Sequence, residues 1–122
     1  MTQKIWKKIS FFLFISITLF PLQLSANQLK ILMFNSEFCM FCSAWERDIG
    51  TLFEKSDYAG YFELTRHHIS QQDQINFSLN SPVIGTPTFI IVGKNREIGR
   101  ISGYSGSEMF WWQLSEFLPN HK

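Results

Sequence analysis

Two cysteines constrain this sequence more than any other pair of residues. Cys39 and Cys42 stand three positions apart, between a short apolar run and a stretch with helical periodicity. The run Leu29-Lys30-Ile31-Leu32-Met33-Phe34 suits a strand buried on both faces of a sheet. After Cys42, Trp45, Ile49, Leu52 and Phe53 recur at three- and four-residue steps, which describes one face of an amphipathic helix. The pair therefore opens a helix directly after a strand. Unpaired N–H groups at a helix N-terminus present about half a positive charge. A thiolate there is stabilised, and the thiol pKa falls from about 8.5 toward about 3.5–7.5. Three-residue spacing returns the second sulfur to within bonding reach of the first. Cys39, at the exposed first turn, is then the attacking nucleophile, and Cys42, one turn deeper beside Trp45, the resolving thiol.

Other uses of two cysteines fit less well. They are too few for a disulfide-stapled scaffold or a four-thiolate zinc site. Zinc or copper would need further ligands, and the three histidines are badly placed to supply them. His67 and His68 are strand neighbours that point to opposite faces, and His121 lies near the end of the chain. A purely structural bridge closing so short a loop would stabilise little. The formal net charge of +1 argues against nucleic acid, whose binding needs a concentrated basic face. With 122 residues, of which 17% are charged and 16% aromatic, one folded domain is expected.

The first residues read differently from the rest. Lys4, Lys7 and Lys8 precede twelve uncharged residues, Ile9 to Phe20; Pro21 interrupts them and Leu24-Ser25-Ala26 ends the segment. A basic start, a short apolar stretch and a small-residue cleavage site describe a secretory signal peptide. The expected organisation is a signal peptide over residues 1–26 and a domain over residues 27–122. An uncleaved membrane anchor is the alternative, because no charge occurs from Ile9 through Leu29. The residues after Ala26 carry eight basic and ten acidic side chains. The protein is thus expected to be exported, to a compartment where disulfides persist and dithiols must be actively kept reduced.

Further along, Tyr61 to Ile69 reads as a second strand, and a short helix is expected to start near Asp73. Thr88 to Val92 is a third strand, and Gly93-Lys94-Asn95 a hairpin turn leading to an antiparallel edge strand over residues 96–102. Ser105 or Ser107 is expected to cap a final helix whose apolar stripe is Phe110, Trp111, Leu114, Phe117 and Leu118. Trp112, adjacent to Trp111, projects about 100° away and is expected on the surface. The fold class is α/β, a mixed central sheet of about four strands with helices on its faces.

Gly85-Thr86-Pro87-Thr88 is the second chemical element. Proline lacks an N–H, and an X–Pro bond is the one place where a cis peptide is cheap. A cis bond at Thr86–Pro87 would turn the Thr86 carbonyl and amide outward, ready to pair with an extended substrate backbone. A trans proline that merely starts the strand is the plainer alternative.

A strand–CxxC–helix followed by Gly-Thr-Pro-Thr-Phe and a hairpin resembles the thioredoxin superfamily over about Lys30 to Leu118. The segments FNSEFCMFCSAWERDIG, PVIGTPTFIIV, REIGRISGY and the aromatic FWW helix are similar to small periplasmic thioredoxin-like proteins of sulfur-oxidation gene clusters. The resemblance implies a minimal thioredoxin-like fold and a periplasmic thiol–disulfide oxidoreductase. It makes Cys39 the nucleophile, Cys42 the resolving thiol, Pro87 the cis-proline facing them, and Thr86 a substrate contact. Gly103 matches the glycine beside the substrate groove. No bound cofactor or metal is implied, since the cysteines carry the electrons. The implied partners are client proteins with disulfides and a membrane electron donor, with the chain itself a monomer. A non-enzymatic partner-binding module and a copper-handling dithiol protein are the alternatives.

Three departures qualify what the resemblance implies. The residues between the cysteines are Met40 and Phe41 rather than Gly-Pro or a pair containing histidine. The buried acid of thioredoxin, six residues before the first cysteine, is here Met33. The first strand and helix of full-length thioredoxin have no counterpart in the sequence after Ala26. With no cation between the cysteines, and with Glu37 just before them, a moderately acidic Cys39 and a potential in the reducing half of the known range are expected. Phe38, Met40 and Phe41 form an apolar rim beside the reactive pair and are the candidate docking surface, with Met40 and Phe41 as substrate contacts.

Overall fold

The computed structural model describes residues 28–120; the expected signal segment and His121 lie outside them. Four strands form one mixed sheet in the order β2-β1-β3-β4. They are β1 (Leu29–Asn35), β2 (Phe62–His68), β3 (Thr88–Gly93) and β4 (Arg96–Ser102). β1 runs parallel to β2 and antiparallel to β3, and β3 pairs antiparallel with β4. The central pair, β1 and β3, is the most apolar, as burial on both faces requires.

Alternation along these strands divides the core in two. Ile31, Met33, Phe89 and Ile91 face α1 (Met40–Trp45) and α2 (Ser107–Ser115), whose Trp45, Phe110 and Leu114 complete that side. Trp45, Phe89 and Phe110 pack as an aromatic cluster with ring centroids 4.9–5.6 Å apart. Leu32, Phe34, Ile90 and Val92 point the other way, onto Val83 and the half-buried Ile69, Ile75, Phe77 and Leu79. Helical structure therefore covers both faces, but unequally. Both α-helices share one face, and a 3₁₀ turn with an irregular segment covers the other.

The helix after the cysteines is not the continuous element that its periodicity predicts. α1 ends at Trp45, a π-helical turn occupies Glu46–Gly50, and 3₁₀ turns follow at Phe53–Lys55 and Asp57–Gly60. The Thr51 N–H donates to the Glu46 carbonyl, five residues back, at 3.3 Å. That wider turn advances the face, so Ile49 and Phe53 remain buried while Leu52 is turned into solvent. The short helix expected near Asp73 instead lies earlier, as the 3₁₀ turn Ile69–Gln74. His68 sets its start: the ring Nδ1 accepts from the Ser70 N–H, and Gln71 accepts from the His68 N–H. This reciprocal cap uses a histidine where serine or threonine is the usual signal. Neither serine caps α2 either; Gly106 holds that position at φ +102, with no side-chain bond.

β4 carries Gly99 for a steric reason. A Cβ there would collide with the Phe117 ring, which lies across the strand after α2. Trp111 is half-buried and stacks on Tyr58 at 4.9 Å, whereas Trp112 is 60% exposed.

Candidate active site

β1 and β3 are antiparallel, so the carboxyl end of β1 and the amino end of β3 meet at one end of the sheet, with Phe34 opposite Thr88. The loops leaving those ends carry the two chemical elements. Cys39 occupies the N-cap of α1, and its Sγ accepts a hydrogen bond from the Cys42 N–H at 3.1 Å. A helix N-cap has orphan N–H groups to satisfy, and here a sulfur does so. Cys39 and Cys42 are joined by a disulfide, with their Cα atoms 5.2 Å apart. Cys42 is buried, with 6% of its surface exposed, and packs in the core with Trp45; Cys39 is half-buried at the surface.

On one side of the pair the surface is apolar. Phe38 is fully exposed, Met40 is 82% exposed and Phe41 is 62% exposed. Phe38 also holds a left-handed backbone, φ +57, a conformation that costs a bulky residue about 1–2 kcal/mol. The groove that holds the pair takes in Phe38 and Met40 of this rim and is lined also by Met33, Ser36, Glu46 and His68. Met33 is fully buried, so β1 offers Cys42 no ionisable neighbour at that position. The Glu46 carboxylate is clamped by both arms of Arg66, the second at 2.9 Å, and its oxygen fills the space that a Cβ on Gly50 would occupy. That places it farther along the helix than Cys42.

The Thr86–Pro87 peptide is cis. Thr86 is half-buried and Pro87 buried. Three hydrogen bonds hold this loop: Ser36 and Thr86 share one between their hydroxyls at 2.5 Å, the Thr88 hydroxyl donates to the Gly85 carbonyl at 2.6 Å, and the Gly103 N–H donates to the Pro87 carbonyl at 2.8 Å. Gly103 is at φ +82, a conformation in which glycine is unstrained. Ile84, at the start of the loop, is 94% exposed. Next to Gly103, Tyr104 donates from its hydroxyl to Asp48 at 2.8 Å. Burial, reinforced by the Asp48 carboxylate, pushes its phenol up to about 12. That bond ties the end of β4 to the π-helical turn.

The two strand histidines do point to opposite faces. His67 lies against Phe34, where burial pushes its pKa below the usual value, and its Nε2 meets the Thr65 hydroxyl at 2.9 Å. His68 caps the following turn and lines the groove beside the cysteines. Among the described residues, no three His, Cys, Asp or Glu side chains converge as ligands, and no helix is long and apolar enough to cross a membrane.

The reading of the sequence missed Ser36 and Glu46 in the groove, and weighed His68 only as a metal ligand. Ser36 is an ordinary loop serine until the fold brings it against Thr86. Glu46 had a findable signal, because it stands four residues after Cys42 and shares its side of the helix.

No protein-family model and no curated protein sequence matches the chain. Solved structures do. The periplasmic thioredoxin SoxS from Paracoccus pantotrophus, in its reduced form, superposes with a TM-score of 0.70 and 29% identity, covering 73% of this chain and 94% of that one. The germline-specific thioredoxin Deadhead from Drosophila melanogaster superposes with a TM-score of 0.59 at 17% identity, over 76% of this chain and 84% of its own. A Malassezia sympodialis thioredoxin follows, with a TM-score of 0.54 at 18% identity, over 73% and 75%. The last two likenesses concern the fold alone.

Proposed function

We propose that this chain, a thioredoxin-like protein with a CxxC pair, is an exported thiol–disulfide oxidoreductase that reduces disulfides in client proteins. The coarse part of that statement rests on the fold and on the bonded pair at the head of α1. The observation that supports an exchange reaction is the asymmetry of the two sulfurs, with Cys42 buried against the core and Cys39 half-buried beside an apolar rim.

In the dithiol state the Cys42 N–H that now reaches the Cys39 Sγ donates to the Cys39 thiolate, and the helix end adds its positive potential. That thiolate attacks one sulfur of the client disulfide. A Cys39–client S–S bond forms, the client S–S bond breaks, and the released client thiolate takes a proton from water. Cys42, once deprotonated, attacks the Cys39 sulfur and expels the second client thiolate. The client gains two electrons and the protein is left with the Cys39–Cys42 disulfide seen in the structure. A membrane dithiol donor returns two electrons to restore it. The client approaches in an extended conformation, pairing with the Thr86 backbone before Pro87 and covering Met40 and Phe41. Export follows from the segment before Asn27 and agrees with the periplasmic source of the SoxS neighbour.

Equilibration of the mature protein in graded thiol buffers tests the direction of electron flow. A midpoint near the thioredoxin value, about −270 mV, is expected; one near −120 mV would make the protein an oxidant. Failure to titrate reversibly would remove the enzyme reading altogether. In native extract, Cys42→Ser should accumulate mixed disulfides through Cys39, and an extract with none would leave the protein without protein clients.

A further inference from the structure

The hydroxyl–hydroxyl bond between Ser36 and Thr86 joins the two loops that the proposed reaction must keep in register. Ser36 stands three residues before Cys39, on the segment that leads from β1 into α1. Thr86 stands across the sheet end, on the loop that enters β3. The other two bonds around the proline come from behind: Thr88 lies within the same turn, and Gly103 follows β4, while farther back Gln72 holds Val83 and Arg100 holds Ser81. The Ser36 bond alone among these three starts from the cysteine side. We infer that Ser36 is a positioning residue for substrate, acting through Thr86 to fix the client-pairing edge relative to the Cys39 sulfur; this rests on the exchange reaction proposed above.

Three physical points support the role. Both residues are half-buried, so the bond is partly shielded from competing water. A loop on each side of a groove samples small shifts unless something spans it, and ordering such a loop when the client docks costs affinity. Finally, the bond occupies the Thr86 hydroxyl and leaves the backbone N–H and C=O of Thr86 as its pairing groups, which suits clients recognised by extended main chain rather than by one side chain. The Ser36 hydroxyl bonds Thr86 while the Cys39 sulfur accepts from the Cys42 N–H, so the effect of Ser36 should fall on docking rather than on thiolate chemistry.

The test mixes pre-reduced protein with excess of a peptide carrying one disulfide and follows a single turnover. It compares the parent with Ser36→Ala, Ser36→Thr, Thr86→Val and the double variant Ser36→Ala/Thr86→Val. Alkylation of Cys39 by iodoacetamide is measured in parallel. Ser36→Ala should raise the half-saturating peptide concentration about fivefold, the net worth of one hydrogen bond expressed as a ratio. Its limiting rate and its alkylation rate should stay within about twofold of the parent's, and Ser36→Thr should restore the parent value. In the Thr86→Val background Ser36→Ala should add nothing, because the bond is already gone. An unchanged half-saturation in Ser36→Ala overturns the inference. So does a fall in limiting rate and alkylation together, which would make Ser36 part of the nucleophile's environment. So does a full additive effect in the Thr86→Val background. If the parent itself fails to reduce the peptide, the exchange reading fails and takes the inference with it, an outcome distinct from failure in the variants alone.

Discussion

Among the described residues, three that are not glycine adopt left-handed backbone, at opposite ends of the sheet, and the two ends treat it differently. At the far end, Lys94 (φ +54) and Asn95 (φ +65) form the two-residue turn between β3 and β4. Two successive positive φ angles match the twist of the strands they join, and asparagine tolerates the conformation. At the cysteine end, Phe38 (φ +57) holds the same conformation with its ring fully in solvent. Neither turn chemistry nor packing offsets it there. Uncompensated strain of this kind clusters at functional sites. In the proposed reaction the hairpin end serves folding and the cysteine end is the one a client meets.

The same contrast runs through the polar groups. Near the hairpin, Glu97 is buried and accepts from Arg100 and from the Asn80 N–H, while Arg100 also reaches the Ser81 carbonyl at 2.9 Å. This network fastens β4 to the irregular segment that covers the second core. Near the cysteines, apolar side chains are exposed instead.

The largest expected effect lies in the fastening network. The hydrogen bond from Arg100 holds the Glu97 carboxyl below its usual range, against the opposing effect of burial. A folded value below the unfolded one of about 4.3 means that this stabilisation is complete above that pH and is lost as pH falls through the folded value. Glu97→Gln should therefore lose about 2 kcal/mol at pH 7 in denaturant titration and show a flatter decline in acid. Equal acid sensitivity in parent and variant would mean that the network does not fasten the hairpin end.

Phe38→Gly comes next and goes the other way. It should gain about 1 kcal/mol of stability by relieving the left-handed strain. It should also raise the half-saturating peptide concentration in the turnover assay about fivefold through loss of an apolar contact. A gain in stability with docking unchanged would make the exposed ring incidental and break the comparison. The smallest effect belongs to the turn. Lys94→Asn with Asn95→Gly should add about 0.5 kcal/mol and leave turnover unchanged. If the turn gained more than Phe38→Gly, the strain would not be concentrated at the cysteine end.

Much of this molecule is written locally. Apolar runs at Leu29–Phe34 and Thr88–Val92, the turn Gly93-Lys94-Asn95 and the stripe of Phe110 and Leu114 gave β1, β3, the hairpin and α2 by pattern alone, and the CxxC spacing gave the disulfide. Periodicity misled in one place, after Trp45. It records which residues are buried but not the width of each helical turn, and a π-helical turn keeps Ile49 and Phe53 inside while expelling Leu52.

What only the tertiary structure decided concerns pairs distant in sequence. Ser36 and Thr86 are 50 residues apart, Glu46 and Arg66 are 20 apart, and Tyr104 and Asp48 are 56 apart. None of these six residues has a local pattern that announces a partner, because side-chain hydrogen bonds follow the spatial order of strands rather than the order of the chain. The sequence by itself determined the strand, the reactive pair and the helix that presents it, since each depends on neighbours a few positions away. The order β2-β1-β3-β4 decided which loops face the pair, which ionisable groups approach it, and which hydroxyl spans the groove. Those are contacts between chain ends that only a closed sheet brings together.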